Sequence, residues 1–337
     1  MADLSSKYLG LTLKNPLVPS ASPLSKDLDS AKQLEDAGAS ALVMHSLFEE
    51  RIEAESRQHD RFFHQQDIGH AEASSFHPTP MEISSYQDRY LQQLQQLKSH
   101  LDIPIIASLN GTSTDGWIEY GKAMQQAGAD ALELNVYFIA ADIEMSSQQV
   151  EERYLNLLTQ LRAHVSLPIN MKLSPQFSAP LHFIRCLEQA GANGVSLFNR
   201  FYQPEVDLET LLVTPKIHLS TPTEALLRIR WIALLYGQVD LSLSVTGGFH
   251  TVDDVVKALL VGADVTHLCS VLLEKGPQQL KLIHNELNDW LEQHEYESVQ
   301  QLKGSISKQH AINPAAFERT NYIEVLDSYI PSPGVLR

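Results

Sequence analysis

Four segments of the chain share one grammar, and it restricts the fold more than any other feature: "LEDAGASALVMHS" (34–46), "MQQAGADALELNV" (124–136), "LEQAGANGVSLFN" (187–199) and "LLVGADVTHLCS" (259–270). Each reads as a helix end, a glycine, then an apolar strand. Gly38, Gly128, Gly191 and Gly262 stand where a helix C-terminus wants a left-handed residue. The runs that follow are apolar enough to be strands buried on both faces, as in a parallel sheet covered by helices. Between them lie "PLVPSAS" (16–22), "IPIIASLN" (103–110), "LPINMKLS" (167–174) and "DLSLSVTGG" (240–248), which bring the candidate strands to eight.

The intervening segments read as helices. In "TVDDVVKALLVG" the residues Val252, Val255, Val256, Leu259 and Leu260 form one stripe, and Thr251 with Asp254 makes a capping box. Eight strands alternating with helices predict a closed (β/α)8 TIM barrel, and the G-x-G-x-x-G turn of an open dinucleotide-binding sheet is absent. Two connections exceed ordinary barrel turns, residues 47–85 and 200–221, and such loops at strand C-termini usually act as lids or binding loops. The barrel is expected over residues 1–308. Residues 309–337 match no barrel element, and Pro331 with Pro333 suggests an extended arm.

Composition narrows the function. With 43% hydrophobic residues in 337 the chain can bury a large core, and 41 acidic against 25 basic residues, a formal charge of −16, argue against nucleic-acid and anionic-membrane partners. Two cysteines, each in an apolar run, predict neither a disulfide framework nor a cysteine metal cluster, and no histidine spacing argues for metal. The start "MADLSSKYLG" has no signal-peptide character, and no run reaches the ~20 apolar residues of a membrane span. A soluble, cytoplasmic protein is expected.

In a barrel of this kind the chemistry sits at strand C-terminal ends. Strand seven runs into Thr246, Gly247 and Gly248 and strand eight into Cys269 and Ser270, the usual place for a phosphate held by main-chain amides, against which stands the reading of a simple tight turn. Lys172, inside an apolar strand, is a Schiff-base nucleophile, a cation beside a developing anion, or one half of a structural ion pair, because an unpartnered buried lysine is too costly. Asn135 ends strand four as a binding amide or a satisfied strand-end amide.

These residues in this order resemble the dihydroorotate dehydrogenase family, FMN-containing barrels, and especially its soluble class 1 branch. The resemblance rests on "GLTLKNPLVPSAS", "ELN" (133–135), "MKLSP" (171–175), "TGGFHTVDDVVKALLVGADVTHLCSVLLEKGP" and "YESVQQLKGSI". It implies FMN as cofactor, with Ala21, Ser22 and Ser46 along the flavin, Asn135 touching flavin and substrate, Asn199 nearby, and Gly247, Gly248, Cys269 and Ser270 holding the phosphate. It also implies that Lys172 approaches the pyrimidine edge of the flavin, where a cation stabilises the reduced ring.

The departures from the family pattern are specific. Where the family carries a lysine beside a serine after strand two, this chain has His45 and Ser46. Where the family grips its substrate with an asparagine-rich turn, this chain reads "GHAEASSFHP", which offers His77 as a substrate-binding residue. The family's cysteine base after strand four gives way to "NVYFIAAD", and its glycine pair after strand six to "PKIHLSTP". Tyr137 or a loop histidine such as His77 or His218 is then the candidate proton acceptor, a tyrosine needing its pKa brought down from ~10, while His45 is a catalytic candidate as a shorter, only conditionally charged hydrogen-bond donor in the lysine's place. Three readings remain: a dihydroorotate dehydrogenase-type enzyme acting on a dihydropyrimidine-like ring, an FMN reductase acting on another substrate, and a non-catalytic flavin- or phosphate-binding barrel. A homodimer or an electron-transfer partner subunit is compatible with the first two.

Overall fold

The computed structural model describes residues 2–66, 85–111, 114–318, 325, 326, 328 and 330. In chain order the elements begin with β1 (Ser6–Tyr8), β2 (Leu11–Leu13), β3 (Leu17–Pro19), α1 (Leu28–Asp36), β4 (Leu42–Phe48), α2 (Glu49–Gln66), α3 (Tyr86–His100) and β5 (Ile105–Asn110). They continue with α4 (Thr114–Gln126), β6 (Ala131–Asn135), α5 (Ser147–Arg162), β7 (Ile169–Leu173), α6 (Pro180–Gln189), β8 (Gly194–Leu197), β9 (Glu205–Asp207), β10 (Leu212–Thr214) and α7 (Ala225–Leu235). The last are β11 (Ser242–Thr246), α8 (Val252–Val261), β12 (Val265–Leu268), α9 (Ser270–Lys275), α10 (Gln278–Gln293), α11 (Val299–Leu302) and α12 (Ala315–Glu318).

Eight of these strands form one parallel sheet in the order β3-β12-β11-β8-β7-β6-β5-β4, and its two ends, β3 and β4, lie side by side, so the sheet comes round into a (β/α)8 barrel. The repeated glycines make the geometry. Gly38, Gly128, Gly191 and Gly262 have φ of 103°, 96°, 100° and 117°, so each helix stops and turns into the next strand without steric strain. The capping box of α8 forms reciprocally: Thr251 Oγ1 accepts from Asp254 N at 3.4 Å, and Thr251 N donates to Asp254 Oδ2 at 3.0 Å.

The core divides into two parts. Outward-facing strand residues such as Leu42, Leu132, Leu134, Met171 and Val245 pack against the helix stripes, each fully buried aliphatic contributing roughly 1.5–3 kcal/mol. The β1–β2 hairpin plugs the N-terminal mouth, where Tyr8, Leu9 and Leu13 pack on Val18, Ala41, Val43, Ile106, Ala131 and Val265. Polar ties fix the plug: Leu9 N donates to Ser242 Oγ at 2.9 Å and Ser6 Oγ to Asp264 O at 2.6 Å.

The described parts of the long connections carry regular elements that a reading of hydrophobic periodicity does not give. Residues 49–66 form α2, built from good helix formers with scarcely any apolar stripe; of its described side chains Ile52 packs on the core, and Glu53 and Glu55 pair with Arg57 and Arg89 at 3.3 and 3.2 Å. The second connection carries the antiparallel hairpin β9–β10. After α11 the chain runs across the barrel's outside, with Gly304, Ile306 and Lys308 amides donating to Leu259, Leu260 and Ala233 carbonyls at 3.0, 2.9 and 2.9 Å. Phe317 on α12 packs against the core, and Lys308 pairs with Glu318. Pro331 and Pro333 lie outside the described residues. Among the described residues no helix is long and apolar enough to cross a membrane, and no group of three or more His, Cys, Asp or Glu is placed to hold a metal ion.

Candidate active site

Strand register builds the site from the bottom. Because side chains alternate, Glu133 and Asn135 on β6 share a face, as do Asn170 and Lys172 on β7, and the pairing sets Glu133 beside Asn170 and Asn135 beside Lys172. Lys172 Nζ lies 3.2 Å from Glu133 Oε1, with Lys172 6% and Glu133 0% exposed. Asn170 Nδ2 donates to Glu133 Oε2 at 3.3 Å and to Ser196 Oγ at 2.7 Å, and Ser196 meets Ser244 Oγ at 2.6 Å. Among the open choices for Lys172, pairing within the barrel is therefore present.

His267 on β12 completes this buried cluster, with Nδ1 3.7 Å from Glu133 Oε2 and its ring edge-on to Tyr8 at 5.8 Å. Burial pushes its pKa down to about 4, opposed by Glu133 and reinforced by Lys172, so the imidazole is neutral at ordinary pH. Burial, helped by Glu133, raises the Tyr8 hydroxyl above its usual range. Both ring nitrogens of His267 lack a hydrogen-bond partner, a site polar enough for an internal water.

Above this layer opens a cavity of about 650 Å³, within the ~300–1,000 Å³ typical of small-molecule sites. Ala21, Ser22, His45, Ser46, Asn135, Lys172 and Asn199 all line it, joined by Lys26, Glu50, Arg51 and Tyr86 at its rim. Asn199 Nδ2 donates to Asn135 Oδ1 at 2.6 Å, which leaves the Asn135 amino group and the Asn199 oxygen free to orient a planar ligand by complementary hydrogen bonds. Ser46 Oγ sits 2.8 Å from Ser108 Oγ.

His45 does not reproduce a lysine's charge. Its backbone N–H donates to Ser25 Oγ at 2.6 Å, and its ring packs edge-on against Tyr90 at 5.0 Å. Burial first, then the positive charges of Lys26 and Arg51, push its pKa down to about 4, so it presents a neutral imidazole to the cavity.

A second cluster lies at the ends of β11 and β12. Gly247 and Gly248 have φ of 88° and 94°, a turn closed to ordinary side chains, and Gly248 N donates to Ser220 Oγ at 3.1 Å. Ser220 Oγ is 2.7 Å from Ser270 Oγ, and Arg228 on α7 donates its Nε proton to Thr246 O at 3.1 Å. Burial pushes the Cys269 thiol up, with Lys172 opposing, so it remains a thiol.

Two candidate proton acceptors lie elsewhere. The Tyr137 ring stacks on Phe201 at 4.2 Å and its hydroxyl donates to Tyr202 O at 3.4 Å, and it does not line the cavity. His218 is exposed, 3.7 Å from Glu205. His77 lies outside the described residues. Sequence reasoning passed over Glu133 and Arg228, although each left a signal: an acid in the apolar strand "ALELN" two residues before Asn135, and an arginine in the apolar helix "ALLRIRWIALL".

A sequence model of the dihydroorotate dehydrogenase family matches residues 3–291. Among curated relatives, the dihydroorotate dehydrogenase B (NAD(+)) catalytic subunit of Shouchella clausii is 25% identical over 90% of this chain and 98% of its own length. The corresponding subunit of Thermoplasma acidophilum is 22% identical over 90% of this chain and 99% of its own length. Dihydroorotate dehydrogenase A (fumarate) of Lactobacillus delbrueckii subsp. bulgaricus is 26% identical over 88% of this chain and 96% of its own length.

Proposed function

This chain belongs to the dihydroorotate dehydrogenase family, and from that premise we propose that it is an FMN-dependent oxidoreductase that moves a hydride between a dihydropyrimidine-like ring and the flavin. The observation that carries the reading is the single cavity on which Ala21, Ser22, Ser46, Asn135, Lys172 and Asn199 converge. The donor set fits the cofactor in kind. Amides and hydroxyls line a chamber of suitable volume with one buried cation at its inner end, and the separate Gly247–Gly248 turn carries an N–H, two hydroxyls and a nearby guanidinium suited to a phosphate.

Bound FMN supplies a ring that accepts a hydride, a chemistry no protein side chain offers. The chain's residues do the rest. Lys172 holds a positive charge at the cavity wall, fixed there by Glu133, which favours negative charge developing beside it. Asn135 and Asn199, each orienting the other, present a donor and an acceptor to a planar ring. His45, neutral, supplies a hydrogen bond without a charge, and its position in the cavity lining supports it as a candidate to take the substrate's proton, although burial, Lys26 and Arg51 make it a weak base.

A second reading, the same flavin chemistry on another substrate, is favoured by one observation: the neutral His45 stands where the family places a lysine. The purified protein, or the apo-protein mixed with FMN, is expected to be yellow, with flavin absorbance that travels with it on gel filtration. A colourless protein that takes up no added FMN would sink both readings. The electron acceptor after the flavin is either a small molecule or a partner subunit, and a homodimer is compatible with both.

A further inference from the structure

Two cations at the cavity mouth stand without an anionic partner. Lys26 ends the 3-10 turn Pro23–Lys26 and Arg51 lies in the first turn of α2; both line the cavity and both are exposed. Neither has a carboxylate within ion-pair distance among the described residues. The turn that carries Lys26 is anchored to β4, since Ser25 Oγ accepts from His45 N at 2.6 Å, and Gln93 Nε2 donates to Ser25 O at 3.3 Å. Arg51 Cζ sits 5.5 Å from the centre of the Tyr86 ring, and Tyr86 is fixed in turn by its N–H, which donates to Glu55 Oε2 at 2.5 Å. A guanidinium resting on an aromatic face keeps its N–H edge for a bidentate acceptor.

The local charge count points the same way. Lys26, Arg51 and Lys172 line the cavity against one carboxylate, Glu50, and Lys172 is already matched by Glu133 beneath it. Lys26 and Arg51 against Glu50 therefore leave one surplus positive charge at the mouth. In a chain of formal charge −16 that is a local inversion, and a cleft of one sign draws in ligands of the other. His45 adds nothing to this charge, because burial, then Lys26 and Arg51, keep its imidazole neutral. The Asn135–Asn199 amides at the inner end suit a planar ring, and what the mouth adds is charge for an acidic group on it. A carboxylate matches the guanidinium fork in geometry as well as in sign.

Resting on the flavin reading above, we propose that Lys26 and Arg51 are specificity-determining residues that hold a carboxylate of the ring substrate at the cavity mouth, while Asn135 and Asn199 hold the ring. The selecting charge then comes from two rim side chains carried by separate elements, and not from residue 45 at the strand end. Glu50 opposes it.

The test titrates the FMN-loaded protein with orotate and with uracil, the same ring without the carboxylate, following the shift of the oxidised flavin spectrum. Wild type is expected to bind orotate more tightly than uracil, with an orotate affinity that falls as sodium chloride is raised. Arg51→Gln and Lys26→Gln are each expected to lose about 3- to 10-fold for orotate, between the worth of an exposed ion pair and that of a charge-assisted hydrogen bond, with uracil unchanged. The double variant is expected to lose both the preference for orotate and its salt dependence. Glu50→Gln is expected to tighten orotate and not uracil. In anaerobic stopped flow the Lys26 and Arg51 variants are expected to need more dihydroorotate for half-saturation, with a limiting rate of flavin reduction within about twofold of wild type. Equal losses for both rings, no loss for orotate, a lower limiting rate at unchanged half-saturation, or a loaded protein whose spectrum responds to neither ring would overturn the proposal and leave the flavin reading standing. If wild type takes up no FMN, that reading fails. Orotate that raises the melting temperature of wild type but not of the double variant then upholds the rim site, and no difference between them overturns it too.

Discussion

Replacing Glu133 by Gln tests the buried charge layer on which the site stands. The substitution keeps the volume and one hydrogen-bond acceptor for Asn170 but removes the negative partner 3.2 Å from Lys172 Nζ. At an effective dielectric of ~20, the Coulomb attraction across that distance is about 5 kcal/mol. Breaking one side of a buried pair costs about 3–5 kcal/mol in practice, because the remaining charge is stranded in a poorly polarisable interior. With His267 neutral and 3.7 Å from the same carboxylate, the cluster has no obvious second anion to take over. The variant is therefore expected to lose about 3–5 kcal/mol, a large share of the ~5–15 kcal/mol of a typical domain. Urea denaturation of the apo-protein at neutral pH, followed by circular dichroism and tryptophan fluorescence, measures this. The double variant Glu133→Gln/Lys172→Met is expected to recover more than half of the loss. A single-variant loss below ~1 kcal/mol, no larger than that of an exposed pair, would refute the reasoning.

Three further outcomes follow from the same geometry. Lys172→Gln, which can still hydrogen-bond Glu133, is expected to bind FMN within a few-fold of wild type and to slow flavin reduction by roughly 100-fold or more in anaerobic stopped flow, on the scale of removing one electrostatic stabiliser; an unchanged rate would count against the cation's role. His267 has a folded pKa of about 4 against ~6.5 unfolded, so the unfolded chain binds the extra proton between those values and stability falls as pH drops from ~6.5 to about 4, by up to roughly 3 kcal/mol; His267→Gln is expected to flatten that window in a pH series of denaturation curves. Because His45 also stays neutral down to about 4, the reduction rate should show no inflection near pH 6.5 from this residue, and a His45-dependent step in that region, absent in His45→Gln, would overturn its neutral assignment.

The barrel was legible because its signal is local and repeated: a left-handed glycine after four of the helices with a doubly apolar strand after each, and four further short apolar runs between them, need no partner to be recognised. All eight strands fall on the segments read as strands, trimmed by a residue or more at most ends, except that β4 runs on to Phe48, two residues into the expected loop. α2 was less legible because its helical character comes from propensity in a polar sequence, with little amphipathic stripe to reveal it. The cavity residues followed from strand ends, and seven of them share one chamber: Ala21, Ser22, His45, Ser46, Asn135, Lys172 and Asn199. Tyr137 was harder to judge, since whether a residue just past a strand turns inward or stacks outward on Phe201 depends on the next connection, which sequence spacing does not encode. The depressed basicity of His45 likewise depends first on its burial and then on Lys26 and Arg51, all set by separate elements that fold around it.

The most direct test of the central claim is anaerobic reduction of the FMN-loaded protein. Dihydroorotate added without oxygen is expected to bleach the flavin band near its oxidised maximum, with two electrons passing from each substrate molecule to each flavin and orotate released. Bleaching by another reduced ring compound, with dihydroorotate inert, would move the chain to the second reading and keep the flavin chemistry. A fully loaded protein that no dihydropyrimidine or related reduced ring bleaches, while dithionite does, would contradict the account.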